Sequence, residues 1–300
     1  MSSFWSNWII ILTVGNILAC IWLIWWTMRK RAGEAESGDV TGHTWDEDLQ
    51  EYNNPLPRWW LWMFWITIIF AGGYLAYFPG LGLFQGAGHW SSTGQYESEM
   101  QTATEKYDPI FKKYAAIGID DLASKSENEE ALAMGKRMYL SYCSQCHGST
   151  ATGATGYPNL ADNDWLWGGS PEKIKETILN GRRGVMIPHK GRVDEAQLAQ
   201  LTDYVFSLSG REGIDAASAE AGKGQFLALG CVGCHGMDGK GNQALGAPNL
   251  TDNVWLYGGS AGVVQKTILE GRQGVMPAHQ EFLGDDKSHL IAAYIYSLSN

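Results

Sequence analysis

Charged side chains are missing from the start of this chain. The first 28 of its 300 residues hold no Asp, Glu, Lys or Arg, and no basic residue stands between Arg58 and Lys106. A cleavable export signal needs basic residues ahead of its apolar run and a small-residue cleavage site behind it. Here Arg29-Lys30-Arg31 follows the run instead, which favours an uncleaved helix. Basic charge is also in deficit overall: 22 Lys and Arg face 32 Asp and Glu, a net charge of -10. That balance speaks against nucleic acid as a partner. Residues 91–300 hold 25 acids and 18 bases, hence -7, which suits a cationic protein partner or plain solubility. Cysteine is sparse, and five residues do not make a disulfide framework.

Two long apolar runs are present. Residues 4–28 suffice to cross a hydrocarbon core of about 30 Å at 1.5 Å per residue. Trp5, Trp8, Trp22, Trp25 and Trp26 cluster toward the ends of this run, as interfacial belts do. Residues 59–78 form a second run, in which Gly72-Gly73 would admit a neighbouring helix. Asn7 and Asn16 read as interhelical hydrogen-bonders, and Cys20 as inert packing in lipid. The segment between the runs carries Arg29, Lys30, Arg31 and Arg58. Counting basic residues alone, it faces the cytoplasm. The expected order is helix 1 over 1–28, a cytoplasmic loop over 29–56, helix 2 over 57–80 and a connector over 81–130. The connector is expected to hold a short helix around Tyr107 to Tyr114.

The remainder repeats. Cys143-Ser-Gln-Cys146-His147 matches Cys231-Val-Gly-Cys234-His235, 88 residues on. Pro158-Asn159-Leu160 matches Pro248-Asn249-Leu250, Trp165 matches Trp255, and Arg182 matches Arg272. Met186 matches Met276, and Tyr204 matches Tyr294. CxxCH is the attachment signature of c-type haem: the thiols add to the vinyl groups and the histidine reaches the iron. Two copies in matching surroundings imply two covalently bound haem c groups, held by Cys143, Cys146, Cys231 and Cys234. A zinc site is the competing reading, and thioethers downstream suit it poorly. Asn249-Leu-Thr matches a glycosylation sequon, but its repeat copy reads Asn159-Leu-Ala.

Each copy reads as three short helices around a haem, over 131–210 and 211–300. Ser170 with Pro171 and Gly181 bound the middle helix of the first copy, as Ser260 and Gly271 do in the second. The last helix of the first copy starts near Asp194. Gly135 and Gly222 mark close helix crossings, with Tyr204 and Tyr294 as the expected partners. The expected fold is therefore all-α: two N-terminal transmembrane helices, then two cytochrome c domains in tandem.

His147 and His235 are the proximal iron ligands by the motif. Met186 and Met276, soft thioethers in glycine-containing loops, read either as the sixth ligands or as buried core methionines, and their register with CxxCH favours ligation. Spacing leaves open whether each methionine serves its own haem or the other's. His189 and His279 align as well, and either hydrogen-bond the haem edge or displace a methionine. Arg182 and Arg272 suit propionates. Trp165 and Trp255 pack at the haem edge or in the ordinary core. His43, His89 and His289 have no aligned partner and read as surface groups.

The loop Thr41-Gly-His-Thr-Trp45-Asp46-Glu47-Asp48-Leu49-Gln-Glu51-Tyr52-Asn53-Asn54-Pro55-Leu56-Pro57-Arg58-Trp59-Trp60, with Tyr77-Phe-Pro79-Gly80-Leu81-Gly82 and the repeat, closely resembles one family. It is the membrane-anchored dihaem subunit (CcoP or FixP) of cbb3-type cytochrome c oxidases, and the two repeats resemble class I cytochrome c. The resemblance implies an electron-transport subunit in a bacterial inner membrane, two-pass, with its N-terminus and haem domains in the periplasm. It would accept electrons from a soluble donor cytochrome c. It would pass them to a monohaem cytochrome c subunit and a haem–copper catalytic subunit that reduces oxygen and pumps protons. No catalytic centre is expected on this chain. The alternatives are an anchored dihaem carrier of another respiratory complex and a dihaem cytochrome c peroxidase; the latter needs an open sixth position on one iron.

Overall fold

The computed structural model describes residues 1–30, 32–124 and 128–299. It divides into two compact units, Met1–Thr104 and Glu105–Asn300.

The first unit holds α1 (Ser3–Thr27) and α2 (Arg58–Tyr77). Both are long and apolar enough to cross a membrane, and only 6% and 0% of their apolar windows are buried. A core helix of a soluble protein would be covered. Past the end of α2, Ser6 of α1 is buried, and its Oγ accepts from the Leu83 backbone N–H at 2.9 Å. Gly82 has φ +62°, and a Cβ there would collide with Ser6, so the contact requires glycine at this point. Between the helices, β1 (Val40–Trp45) and β2 (Leu49–Tyr52) form an antiparallel hairpin pairing Trp45 with Leu49. The sequence reading expected only a loop. Its turn places Asp46 and Glu47 at positive φ, without the Asn-Gly or Asp-Gly that announces a tight hairpin.

The connector is more ordered than expected. In place of a short helix around Tyr107 to Tyr114 it forms α3 (Ser92–Ala115), with Pro109 inside it, followed by α4 (Ile119–Ser124). Tyr114, Ile119 and Leu122 are buried in a core of the second unit.

The second unit continues through α5 (Glu129–Tyr142), α6 (Ser144–His147), α7 (Pro171–Asn180), β3 (Arg182–Met186) and α8 (Glu195–Leu208). The same order returns as α9 (Ala216–Ala228), α10 (Val232–His235), α11 (Ala261–Glu270), β4 (Arg272–Met276) and α12 (Gln280–Ser299). The expected signals act locally. Ser170 Oγ accepts from the Lys173 N–H, with Pro171 at the first helical position. Asp194 and Gln197 form a capping box. Ser260 makes no side-chain cap bond.

The packing is exchanged between the repeats. One core joins α5 and α7 to α12, with Tyr139, Ile174, Ile178, Leu290 and Tyr294 buried together. The other joins α8 to α9 and α11, with Leu201, Tyr204, Phe226, Val264 and Ile268. The last helix of each repeat thus packs in the other repeat's core. Two corrections follow. Residues 131–210 and 211–300 are sequence repeats but not self-contained tandem packing units. The chain is also not purely α: β3 and β4, expected as loops, pair antiparallel with Gly184 opposite Gly274. Glycine permits the exchanged crossings. A Cβ at Gly135 would collide with the Leu290 carbonyl and lie 3.0 Å from Tyr294 Cβ. One at Gly222 would collide with the Gln200 carbonyl and lie 2.9 Å from Tyr204 Cβ.

His289 corrects another expectation. It is buried rather than on the surface, and its Nε2 bonds the Ile117 carbonyl at 2.8 Å, tying α12 to the connector.

Candidate haem-binding sites

Each CxxCH is one tight helical turn at the end of a core helix. Cys143 N–H donates to the Tyr139 carbonyl at 2.8 Å, and His147 N–H to the Cys143 carbonyl at 3.0 Å. Gly148, at φ +78°, turns the chain out, and Tyr139 donates to its carbonyl at 2.7 Å. His235 N–H to the Cys231 carbonyl, 3.0 Å, repeats the pattern, with Gly236 at φ +79°. Cys143 and Cys231 are half-buried, and Cys146 and Cys234 are exposed. Burial pushes the Cys143 thiol up to about 11, with Cys146 adding to the effect, and pushes the Cys231 thiol up as well. Among the described residues no three His, Cys, Asp or Glu side chains come together as a metal site.

The two motif histidines are held alike. His147 Nδ1 lies 2.9 Å from the Pro158 carbonyl, and His235 Nδ1 lies 3.2 Å from that of Pro248. A carbonyl partner fixes the proton on Nδ1 and leaves the Nε2 lone pair for a metal. Burial lowers both imidazole pKa values, against the opposing pull of the carbonyl bond. The repeated Pro-Asn-Leu thereby acquires a purpose that the sequence reading missed: its proline carbonyl orients the histidine. Its asparagine shapes the turn, since Asn159 Oδ1 accepts from the Ala161 N–H and Asn249 Oδ1 from the Thr251 N–H. That role accounts for Asn249 without glycosylation.

The methionines change sides. Met276 packs against the core that contains Cys143, and Met186 against the core that contains Cys231. The crossing is set by Gly181 (φ +68°) and Gly271 (φ +71°). A Cβ on the first would collide with the Met276 carbonyl, and on the second with that of Met186. Spacing alone left the pairing open; the ribbon resolves which methionine shares a core with which motif.

The remaining candidates are distributed as follows. Trp165 packs on the first core and Trp255 on the second, each ring lying against a glycine, Gly169 and Gly259. Arg182 donates to Thr177 Oγ1 at 3.0 Å and to Glu176 at 3.1 Å. Arg272 donates to Thr267 Oγ1 at 2.8 Å. The guanidinium of Arg182 lies 5.6 Å from the Trp167 ring centre, and that of Arg272 4.2 Å from Tyr257. Trp167 and Tyr257 were absent from the sequence-derived set, although they align 90 residues apart. His189 and His279 each bury an Nδ1 that has no hydrogen-bond partner among the described residues. Burial lowers the His189 pKa, with Arg192 adding to the shift.

Each core therefore presents a half-buried thiol, an exposed thiol, an imidazole with its Nδ1 anchored, and a thioether. That donor set fits haem c and fits no other common prosthetic group. Fold and site together define a c-type cytochrome whose sequence begins with two apolar helices. Residues 37–85 match the N-terminal domain of cytochrome oxidase-cbb3, FixP; residues 130–205 match cytochrome c oxidase, cbb3-type, subunit III; residues 219–299 match cytochrome c. The cbb3-type cytochrome c oxidase subunit CcoP of Rubrivivax gelatinosus is 42% identical over 299 residues, covering 99% of this chain and 96% of its own. The FixP subunits of Azorhizobium caulinodans and Bradyrhizobium diazoefficiens are 39% and 40% identical, each over 86% of this chain and over 92% and 94% of their own. The chain belongs to the CcoP/FixP family of cbb3-type cytochrome c oxidase subunits.

Proposed function

We propose that this chain is the electron-input subunit of a cbb3-type oxidase complex. It accepts electrons from a soluble donor cytochrome c and relays them to a monohaem cytochrome c subunit and then to the haem–copper subunit. Two haem c groups are attached, one through Cys143 and Cys146, the other through Cys231 and Cys234. His147 and Met276 would hold the iron of the first; His235 and Met186 would hold that of the second. Bound haem supplies one-electron redox chemistry. The chain's own residues hold the imidazole tautomer, exclude water with the two exchanged cores, and bring a thioether to each core. Arg182 and Arg272, with Trp165 and Trp255, serve the haem periphery.

The observation that carries this reading is the crossed ribbon. It brings one methionine to each core, which supports a thioether partner for each iron. A relay needs closed coordination; a peroxidase needs one open iron. The basic residues at 29, 30, 31 and 58 support a cytoplasmic loop. α1 and α2 would then span the inner membrane, with the haem domains in the periplasm.

The test compares oxygen consumption by the complex with and without this chain, using soluble cytochrome c and a small-molecule reductant. Loss with cytochrome c, largely bypassed by the small donor, is expected. Equal loss with both would assign the chain to assembly. The cytochrome c rate is also expected to fall as salt rises, because the partner meets an acidic surface.

A further inference from the structure

We propose that Trp167 and Tyr257 are positioning residues, each bracing both axial ligands of the haem held by the other repeat. The proposal rests on the crossed ligand pairs above.

Each ring stands beside two elements, one leading to a motif histidine and the other to the methionine of the same core. Trp167, in the first repeat, lies against Gly246. Gly246 stands two residues before Pro248, whose carbonyl holds His235 Nδ1. The same ring faces Gly184 at the middle of β3, where a Cβ would lie 3.8 Å from it. β3 ends at Met186, in the core of His235. Tyr257, in the second repeat, does the same for the other core. It lies against Gly156, where a Cβ would sit 3.4 Å from its ring. Gly156 stands two residues before Pro158, whose carbonyl holds His147. A Cβ at Gly274, in the middle of β4, would lie 3.8 Å from the Tyr257 hydroxyl, and β4 ends at Met276.

The close approach is built into the backbone. Gly246 and Gly156 have φ +65° and +87°, and a Cβ at Gly246 would collide with the indole. The Gly156 N–H donates to the Leu256 carbonyl at 2.8 Å, next to Tyr257. Arg182 and Arg272 approach the Trp167 and Tyr257 rings within cation–π range. Packed rings transmit displacement because interiors have little free volume. Removing one ring frees the proline-carbonyl loop and the ligand strand together. Weaker anchoring of Nδ1 makes the imidazole a poorer donor, and a loosened strand lets the thioether leave.

The experiment uses the full-length chain in its complex, with covalent haem counted first. Trp167→Ala is expected to shift the potential and diminish the Fe(III)–Met charge-transfer band of the haem bound at Cys231 only. Tyr257→Ala is expected to do so at Cys143 only. Trp167→Tyr and Tyr257→Trp, which swap the two natural solutions, are expected to restore wild-type behaviour. Met186→Ala and Met276→Ala identify which signal belongs to which haem. Equal effects on both haems, an effect on the same-repeat haem, or unchanged signals with both haems attached would each overturn the proposal. Fewer than two covalent haems in the wild type, or same-repeat methionine pairing, would instead overturn the reading beneath it. If Trp167→Ala fails to accumulate, the Tyr257 variants and Trp167→Phe carry the same test.

Discussion

Gly135→Ala probes the exchange between the repeats most directly. Gly135 lies in α5, and the helix it meets is α12 of the other repeat. A methyl group there collides with the Leu290 carbonyl and comes within 3.0 Å of Tyr294 Cβ. The first obstacle is backbone in a helix and cannot rotate aside, so α5 and α12 must separate. Overpacking of this kind costs about 1–3 kcal/mol, and a rigid obstacle argues for the upper part of that range. Alanine returns about 1 kcal/mol of helix propensity over glycine. The net loss is about 1–2 kcal/mol. In a unit of this size it lowers Tm by roughly 2–8 °C, at about 2–4 °C per kcal/mol. The assay is thermal unfolding followed at the Fe(III)–Met charge-transfer band. The band that melts early is expected to be the one that Met276→Ala removes and Met186→Ala spares. Gly222→Ala, which meets the Gln200 carbonyl and Tyr204, is expected to melt the other band. Early loss of the Met186-dependent band in Gly135→Ala would refute the exchanged packing.

Three further outcomes follow from the same geometry. When Cys231 and Cys234 are both changed to serine, one haem remains, and Met276→Ala, not Met186→Ala, is expected to abolish its methionine band in an optical spectrum. A reporter active only outside the cytoplasm is expected to work when fused after Asn300 and to fail when fused after Gly42; the reverse would overturn the orientation. His289 is held below its ordinary pKa by burial first, with Lys175 acting in the same direction and the Ile117 carbonyl, Asp285 and Asp286 opposing. Folding therefore disfavours its protonation. Its contribution to stability is intact above an unfolded pKa of about 6.5 and declines as pH falls from there toward the lower folded value. Denaturant midpoints measured from pH 7 to pH 5 are expected to fall less steeply in His289→Gln than in wild type.

Much of this architecture was legible because it is local. The CxxCH turns, the Ser170 and Asp194 caps, the two apolar helices and the close crossings at Gly135 and Gly222 each rest on a few adjacent residues. Local signals do not say which partner a helix chooses. Both repeats offer the same glycine and the same tyrosine, so α5 could pair with Tyr204 or Tyr294 on sequence grounds alone. What decides is the path of five residues after α7, and Gly184-Val-Met reads as a loop until it is paired with Gly274-Val-Met. The β1–β2 hairpin escaped because its turn uses Asp46 and Glu47. α3 escaped because its surface is polar and Pro109 interrupts it. Trp167 and Tyr257 were passed over because Trp165 and Trp255, two residues earlier, had already taken the aromatic role.

Exchange also answers a problem that each repeat would face alone. A domain of about 80 residues has a thin core, yet outer-sphere electron transfer works best when ligand geometry barely changes between oxidation states. In the exchanged arrangement, each core takes its motif histidine from one repeat and its methionine from the other, and the two are anchored in different parts of the fold. The histidine is fixed by a proline carbonyl of its own repeat. The methionine is fixed by a ribbon whose other strand ends in the opposite site. Met186 is paired with Arg272 across the ribbon, while the two methionines pack in different cores. A single repeat expressed alone would therefore lack the last helix and the methionine strand that complete its core.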